Sequence, residues 1–168
     1  MEINPNPRFL SERDESQSYR AIARVALFWG PVELQLEGIL TLLRARHKAN
    51  GPFPASFSRK VDELKDRLKA EDALSELRAF MRPNLSEAKR LHIIRVHVVH
   101  SYFQGQLGNG KLLFGRSETK AGVAYRESRY SIAELEAATC AMIAVHNELA
   151  KVRIPLNREG HFQSFFLR

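Results

Sequence analysis

The amino-acid sequence predicts a mostly α-helical protein: an up-and-down antiparallel helical bundle with a small β-hairpin lobe between the last two helices. Three observations carry this expectation. Apolar residues recur at spacings of three and four over most of the chain, which gives each helix one apolar face. Proline and asparagine–glycine breaks leave short connections, and short connections favour antiparallel neighbours. The stretch from about 101 to 130 instead carries aromatic and β-branched residues around Gly108-Asn109-Gly110. That turn is a hairpin signal, because asparagine and glycine accept positive φ.

Taken in order, residues 1–10 hold two prolines and two asparagines and are expected to be irregular. A first helix is predicted over 12–47, with Ala21, Ile22, Val25, Phe28, Trp29, Val32, Leu36, Ile39, Leu40 and Leu43 on its apolar face. Gly30-Pro31 is expected to kink or briefly break it, since proline removes a hydrogen bond and crowds the preceding turn. Asn50-Gly51-Pro52 ends this segment. Helices are then predicted over 58–69 and 71–81, and Arg82-Pro83-Asn84 is expected to break the chain before Ser86 caps a helix over 86–100. Two or three short strands follow, with a second turn at Lys120-Ala121-Gly122. Ser131 and Glu134 form a capping box that opens a last helix over 131–152. Residues 153–168 read as an aromatic and basic tail, whose Phe162, Phe165 and Phe166 are expected to dock on protein rather than stack on bases.

At 168 residues the chain fits one ordinary domain with a real core, and its 44% hydrophobic and 27% charged composition is that of a folded protein. Arg24, Glu33 and Glu37 interrupt the apolar stretch Ala21–Leu43, so no membrane association is expected, and no signal peptide is visible. The single cysteine, Cys140, excludes an intramolecular disulfide and agrees with a reducing, cytoplasmic setting. A net charge of +7 and a pI near 9.9 point to polyanionic partners. Arg44, Arg46 and Lys48 are better explained as a complement to a helix C-terminus. A second basic group runs from Lys89 to Arg95.

Glu87–His100 is the densest concentration of Arg and His in the chain. At 100° per residue Arg95 and His100 lie about 140° apart around the axis, so they flank one cleft if the helix loosens at its end. Lys89, Arg90 and His92 are candidates to hold nucleic acid beside them, with His97 in support. Glu33 is unusual on the apolar first helix. A buried carboxylate needs a partner, and Arg95 is the expected one. The simplest alternatives are that Arg95 and His100 only cap helix carbonyls, and that His97 is a hydrogen-bonded core histidine. His97 and His100 have metal-ligand spacing, but no nearby Asp, Glu or Cys completes a set, so neither a metal nor any other cofactor is expected.

The segment Arg95-Val-His-Val-Val-His100 resembles the motif of HEPN domains (higher eukaryotes and prokaryotes nucleotide-binding domains): Arg, four to six residues, then His, late in a helix of an all-α bundle. Phe28-Trp29-Gly30-Pro31-Val32-Glu33 is similar to an aromatic–Trp-Gly…Glu stretch on an early helix of some relatives, and the resemblance spans roughly residues 18 to 150. It implies a homodimer in which the motifs of both subunits meet, and a metal-independent endoribonuclease used as a toxin or in antiviral defence, with an antitoxin as a further partner. Carried onto this chain, His100 is the general acid or base and Arg95 the phosphate-binding cation. The chemistry needs those types, because histidine titrates near neutrality while arginine stays charged and grips non-bridging oxygens. The chain departs from the pattern at Val96, where the family commonly has a polar residue. That departure favours an alternative reading, a non-catalytic module that binds RNA or a nucleotide. A further alternative is a bundle that serves only for dimerisation.

Overall fold

The computed structural model describes residues 12–118 and 124–157. They form four helices and one small sheet: α1 (Glu12–Arg46), α2 (Phe57–Lys69), a 3-10 turn (Asp72–Leu74), α3 (Ser75–Val99), β1 (Tyr102–Gln106), β2 (Leu112–Glu118), β3 (Ala124–Tyr130) and α4 (Ile132–Asn157). The expectations for the first ten residues, the second turn and the three tail phenylalanines lie outside the described residues.

Two expected breaks are absent. α1 runs through Pro31, and α3 runs through Pro83, so the helices expected over 71–81 and 86–100 are one and Ser86 is interior rather than a cap. The reason is where the prolines point. Leu27, Pro31, Ala79 and Pro83 are all exposed, so the carbonyls of Leu27 and Ala79, which lose a donor to the prolines, lie on the solvent side. On the opposite side the buried stripes continue in phase: Trp29, Val32 and Leu36 in α1; Leu77, Met81, Leu85, Ala88 and Leu91 in α3. Asn84 reinforces the second site by donating from Nδ2 to the Phe80 carbonyl at 3.0 Å.

The helix starts follow their caps. Ser56 Oγ accepts from the Arg59 amide at 3.4 Å, so α2 begins at Phe57, slightly earlier than expected. The capping box of α4 is present as read: Ser131 Oγ accepts from the Glu134 amide at 3.1 Å, and Glu134 Oε2 accepts from the Ser131 amide at 2.6 Å. The Ser131 amide, and after it the Ser131 side chain, hold the Glu134 carboxyl below its ordinary value. α4 continues past the expected end at Val152 to Asn157.

The chain divides into two compact units, each drawing on α1, α3 and α4. The first, within residues 1–29 and 91–141, carries the sheet, of order β1-β2-β3 with both pairs antiparallel. Its β1–β2 hairpin turns at the expected Asn109-Gly110, with Gly110 at φ 80° and the Leu107 amide donating to the Lys111 carbonyl at 2.7 Å. A bulge interrupts β1 between Phe103 and Gly105, and Gly105 has φ 118°. Ring contacts run from Tyr19 through Phe103 and Phe114 to Tyr130, with centroid separations of 5.7, 5.6 and 6.2 Å. They tie the first helix to both hairpins.

The second unit, within residues 30–90 and 142–168, is built on helices alone. Leu36, Ile39, Leu40 and Leu43 of α1, Val61, Leu64 and Leu68 of α2, and Leu149 of α4 are essentially inaccessible. Lys60 of α2 is 7% exposed among them, and its ammonium donates to both Glu33 and Glu37 of α1. This corrects the expected Glu33–Arg95 pair. A buried ammonium cannot stay charged without acceptors, and Lys60 presents the need on the neighbouring helix. Burial alone would lower its ionisation, but the two carboxylates outweigh it and leave the group above its ordinary value. The basic end of α1 is matched as well, Arg44 to Glu63 at 2.6 Å and Arg46 to Glu71 at 2.6 Å.

By length and composition, the stretch Glu15–Arg46 of α1 is long and apolar enough to cross a membrane, with a hydropathy of 1.2 over its most apolar window. Its charges do not exclude that, contrary to the sequence expectation. Within that stretch, however, Glu33 and Glu37 are the counter-ions of Lys60, which is the arrangement of a helix packed on protein.

Removing both carboxylates tests the Lys60 site. Glu33→Ala/Glu37→Ala should lower unfolding free energy in urea by about 2–3 kcal/mol, the low end for breaking a buried pair because the carboxylates are partly exposed. Adding Lys60→Met to that variant should restore most of the loss.

Candidate functional site

The site grows from the end of α3. The helix ends at Val99 and β1 begins at Tyr102, so His100 and Ser101 make the whole change of direction. The His100 amide still donates to the Val96 carbonyl at 3.0 Å, while its ring folds back to Arg95. The separation of about 140° expected on a continuing helix is thereby closed. Arg95 Nη1 lies 2.7 Å from His100 Nε2, at the exposed end of the helix. A guanidinium has no acceptor, so Nε2 accepts and the neutral ring carries its proton on Nδ1. The arrangement offers a fixed cation beside a histidine lone pair.

His97 points into the sheet unit instead. Its Nδ1 is 2.7 Å from the Tyr130 hydroxyl at the end of β3, with the rings 6.1 Å apart. Burial, with a smaller contribution from the Glu134 charge, pushes the Tyr130 phenol above its ordinary value, so the hydroxyl keeps its proton in this contact. The core-histidine reading of His97 therefore holds for this nitrogen. Its ring also lines a cavity of about 210 Å³ together with Ser101, Arg116, Arg126, Glu127 and Ser128. Arg116 and Arg126 stand directly opposite each other across β2 and β3. Like charges in that relation are unfavourable unless something negative lies between or beside them, and Glu127 also accepts from Arg129 at 3.0 Å.

The structure therefore joins two of the residues singled out in the sequence, Arg95 and His100, and gives a third, His97, a partner. The others are placed differently. Glu33, Lys89 and Arg90 belong to the helical unit, and each is met by an opposite charge: Glu33 by Lys60, Lys89 by Asp62 at 2.9 Å, and Arg90 by Glu87 through two bonds of 2.8 and 2.6 Å. The Glu87 bonds raise the Arg90 guanidinium, and in return lower Glu87. His92 lies against the Trp29 ring, with centroids 5.3 Å apart. The sequence reading missed Arg116, Arg126 and Tyr130. No three His, Cys, Asp or Glu side chains converge as a metal set among the described residues.

Comparison of the chain with family models, with curated proteins and with solved structures finds no match.

Tyr130→Phe should keep the ring packing against Phe114 and remove only the bond to His97. The expected cost is about 1 kcal/mol at neutral pH, read by urea unfolding. The raised phenol keeps its proton in the folded state where the unfolded chain loses it. Stability should therefore fall as pH rises above about 10, and the Phe variant should lack that part of the alkaline loss.

Proposed function

We propose that this chain binds RNA by its phosphates at the Arg95–His100 end of α3 and cleaves it as a metal-independent endoribonuclease of the HEPN type. The observation that carries the reading is the 2.7 Å contact between Arg95 Nη1 and His100 Nε2. It pairs a permanent cation with a histidine lone pair at a surface turn. When a phosphodiester arrives, the guanidinium turns to the non-bridging oxygens and releases Nε2. Nε2 takes the 2′-hydroxyl proton, the 2′-oxygen attacks phosphorus, and the bond to the 5′-oxygen breaks after that oxygen gains a proton. A 2′,3′-cyclic phosphate remains.

The proton for the leaving oxygen comes, in this reading, from a second copy of the site across a homodimer. Ile93, Val99 and Tyr102, exposed to 54%, 39% and 77% beside the pair, support such an interface, since apolar groups around a charged centre are what a partner subunit covers. The up-and-down antiparallel order of the helices, the toxin or defence role, the antitoxin partner and the cytoplasmic setting belong to the same proposal and rest on the motif resemblance. A second reading, RNA binding without cleavage, is favoured by Val96, which leaves no polar group next to Arg95.

The purified protein should shorten RNA in EDTA and leave 2′,3′-cyclic or 3′-phosphate ends, seen on denaturing gels after end-group analysis. His100→Ala should slow cleavage roughly a hundredfold or more. Arg95→Ala should do similar damage, and Arg95→Lys should recover only part, because lysine lacks the planar fork. Circular dichroism should show all three variants folded. RNA that is bound in an Arg95-dependent manner yet never shortened establishes the second reading. A protein that neither binds nor cuts removes both.

A further inference from the structure

The helical unit carries a groove of about 500 Å³ between α2 and α3, and its charge is not accounted for by the fold. Lys65 and Lys69 line it from α2, and Arg78 and Arg82 from α3. Within each pair the residues are four apart, so they share a helix face about 6 Å apart along the axis. Like charges at that spacing repel, and here both pairs face the same space. No carboxylate lines the groove.

Several cations of this unit outside the groove are matched. Arg44, Arg46, Lys60, Arg67, Lys89 and Arg90 each hold a carboxylate. Lys65, Lys69, Arg78 and Arg82 hold none among the described residues, although Lys65 and Arg78 are partly buried. Partial burial of a charge without a partner costs free energy, which a bound anion would recover. Beneath the cations Leu68 and Leu85 belong to the buried core, and the exposed Ser75 and Ala79 complete the α3 wall. The volume falls within the range of small-ligand sites, roughly 300–1,000 Å³.

We propose that this groove binds a run of two or more adjacent phosphate groups, the chemistry shared by a nucleoside polyphosphate and an RNA strand. Lysine and arginine only donate, so the ligand must present acceptors alone. The two arginines match phosphate oxygens with their planar forks, and the two lysines serve as point charges on the facing wall. Four charges in two rows suit successive phosphates better than a single one. This site is independent of the Arg95–His100 reading and stands or falls apart from it.

Calorimetry on the full chain at physiological salt tests the groove with inorganic phosphate, tripolyphosphate, a nucleoside triphosphate, a short single-stranded RNA and polyglutamate. Tripolyphosphate, the triphosphate or the RNA should bind at least tenfold more tightly than inorganic phosphate. The Arg78→Ala/Arg82→Ala variant should weaken that binding at least tenfold, and Lys69→Gln should lower its salt dependence. Arg59→Ala, which removes an exposed α2 cation outside the groove, should change neither. Binding of the compact phosphates that the groove variants lose identifies a nucleotide-sized source, and binding of the RNA alone that they lose identifies a strand; either supports the site. Melting temperatures should not fall in the groove variants, since they relieve repulsion. The proposal is overturned if no phosphate probe binds, if the groove variants bind as the parent does, or if polyglutamate binds as tightly as tripolyphosphate.

Discussion

The apolar stripe of α3 is unbroken across Pro83, and everything on that helix inherits its phase. Proline inside a helix costs about 3 kcal/mol, a penalty large enough to break an isolated segment. Against it stand Leu77, Met81, Leu85 and Leu91, all buried on the opposite side, and full burial of each such side chain is worth about 1.5–3 kcal/mol. Packing wins, provided that the freed carbonyl faces solvent, as it does at Ala79. One phase over Ser75–Val99 fixes which residues are inward and which remain for charge: Arg78 and Arg82 early, Arg95 late. A helix broken at Pro83 would have set those two groups independently.

The end of that helix is constrained by its successor. β1 must pair with β2, so the chain leaves the helix within two residues, and this abrupt exit turns His100 back on Arg95. The sheet side is held by ring contacts that pass from Phe103 through Phe114 to Tyr130, where the hydroxyl takes His97 Nδ1. The two histidines thus have opposite environments three residues apart. His97 is anchored by a phenol that stays protonated, and His100 is exposed beside an arginine.

What was legible in the sequence depended on how local the cause was. The capping box at Ser131 and Glu134, the Asn109-Gly110 turn and the apolar stripes are short-range, and they appear where they were read. The prolines were misread because their effect depends on whether the exposed or the buried side of a helix carries them. The partner of Glu33 was misassigned because Lys60 follows 27 residues later on a helix whose pattern looked ordinary. The Arg116–Arg126 opposition was in fact countable. The two positions lie equally far in sequence from the turn expected at Lys120-Ala121-Gly122, which is the spacing of opposed residues in a hairpin. The Lys65/Lys69 and Arg78/Arg82 pairs are visible at helical spacing, yet only the packing of α2 on α3 makes them face one space.

The bulge at Gly105 has a consequence for colony-scale behaviour of the molecule, its tendency to clump. A three-stranded sheet leaves two outer strands whose unpaired amides and carbonyls can template a foreign strand. At β1 the extra residue and the positive φ of Gly105 throw the outer row of donors and acceptors out of register. At β3 Arg126, Glu127 and Arg129 crowd a seven-residue strand with charge. Neither border offers the flat, regular ladder from which fibrils grow, so a strongly basic chain with a small exposed sheet is protected against ordered self-stacking by backbone geometry on one side and by charge on the other.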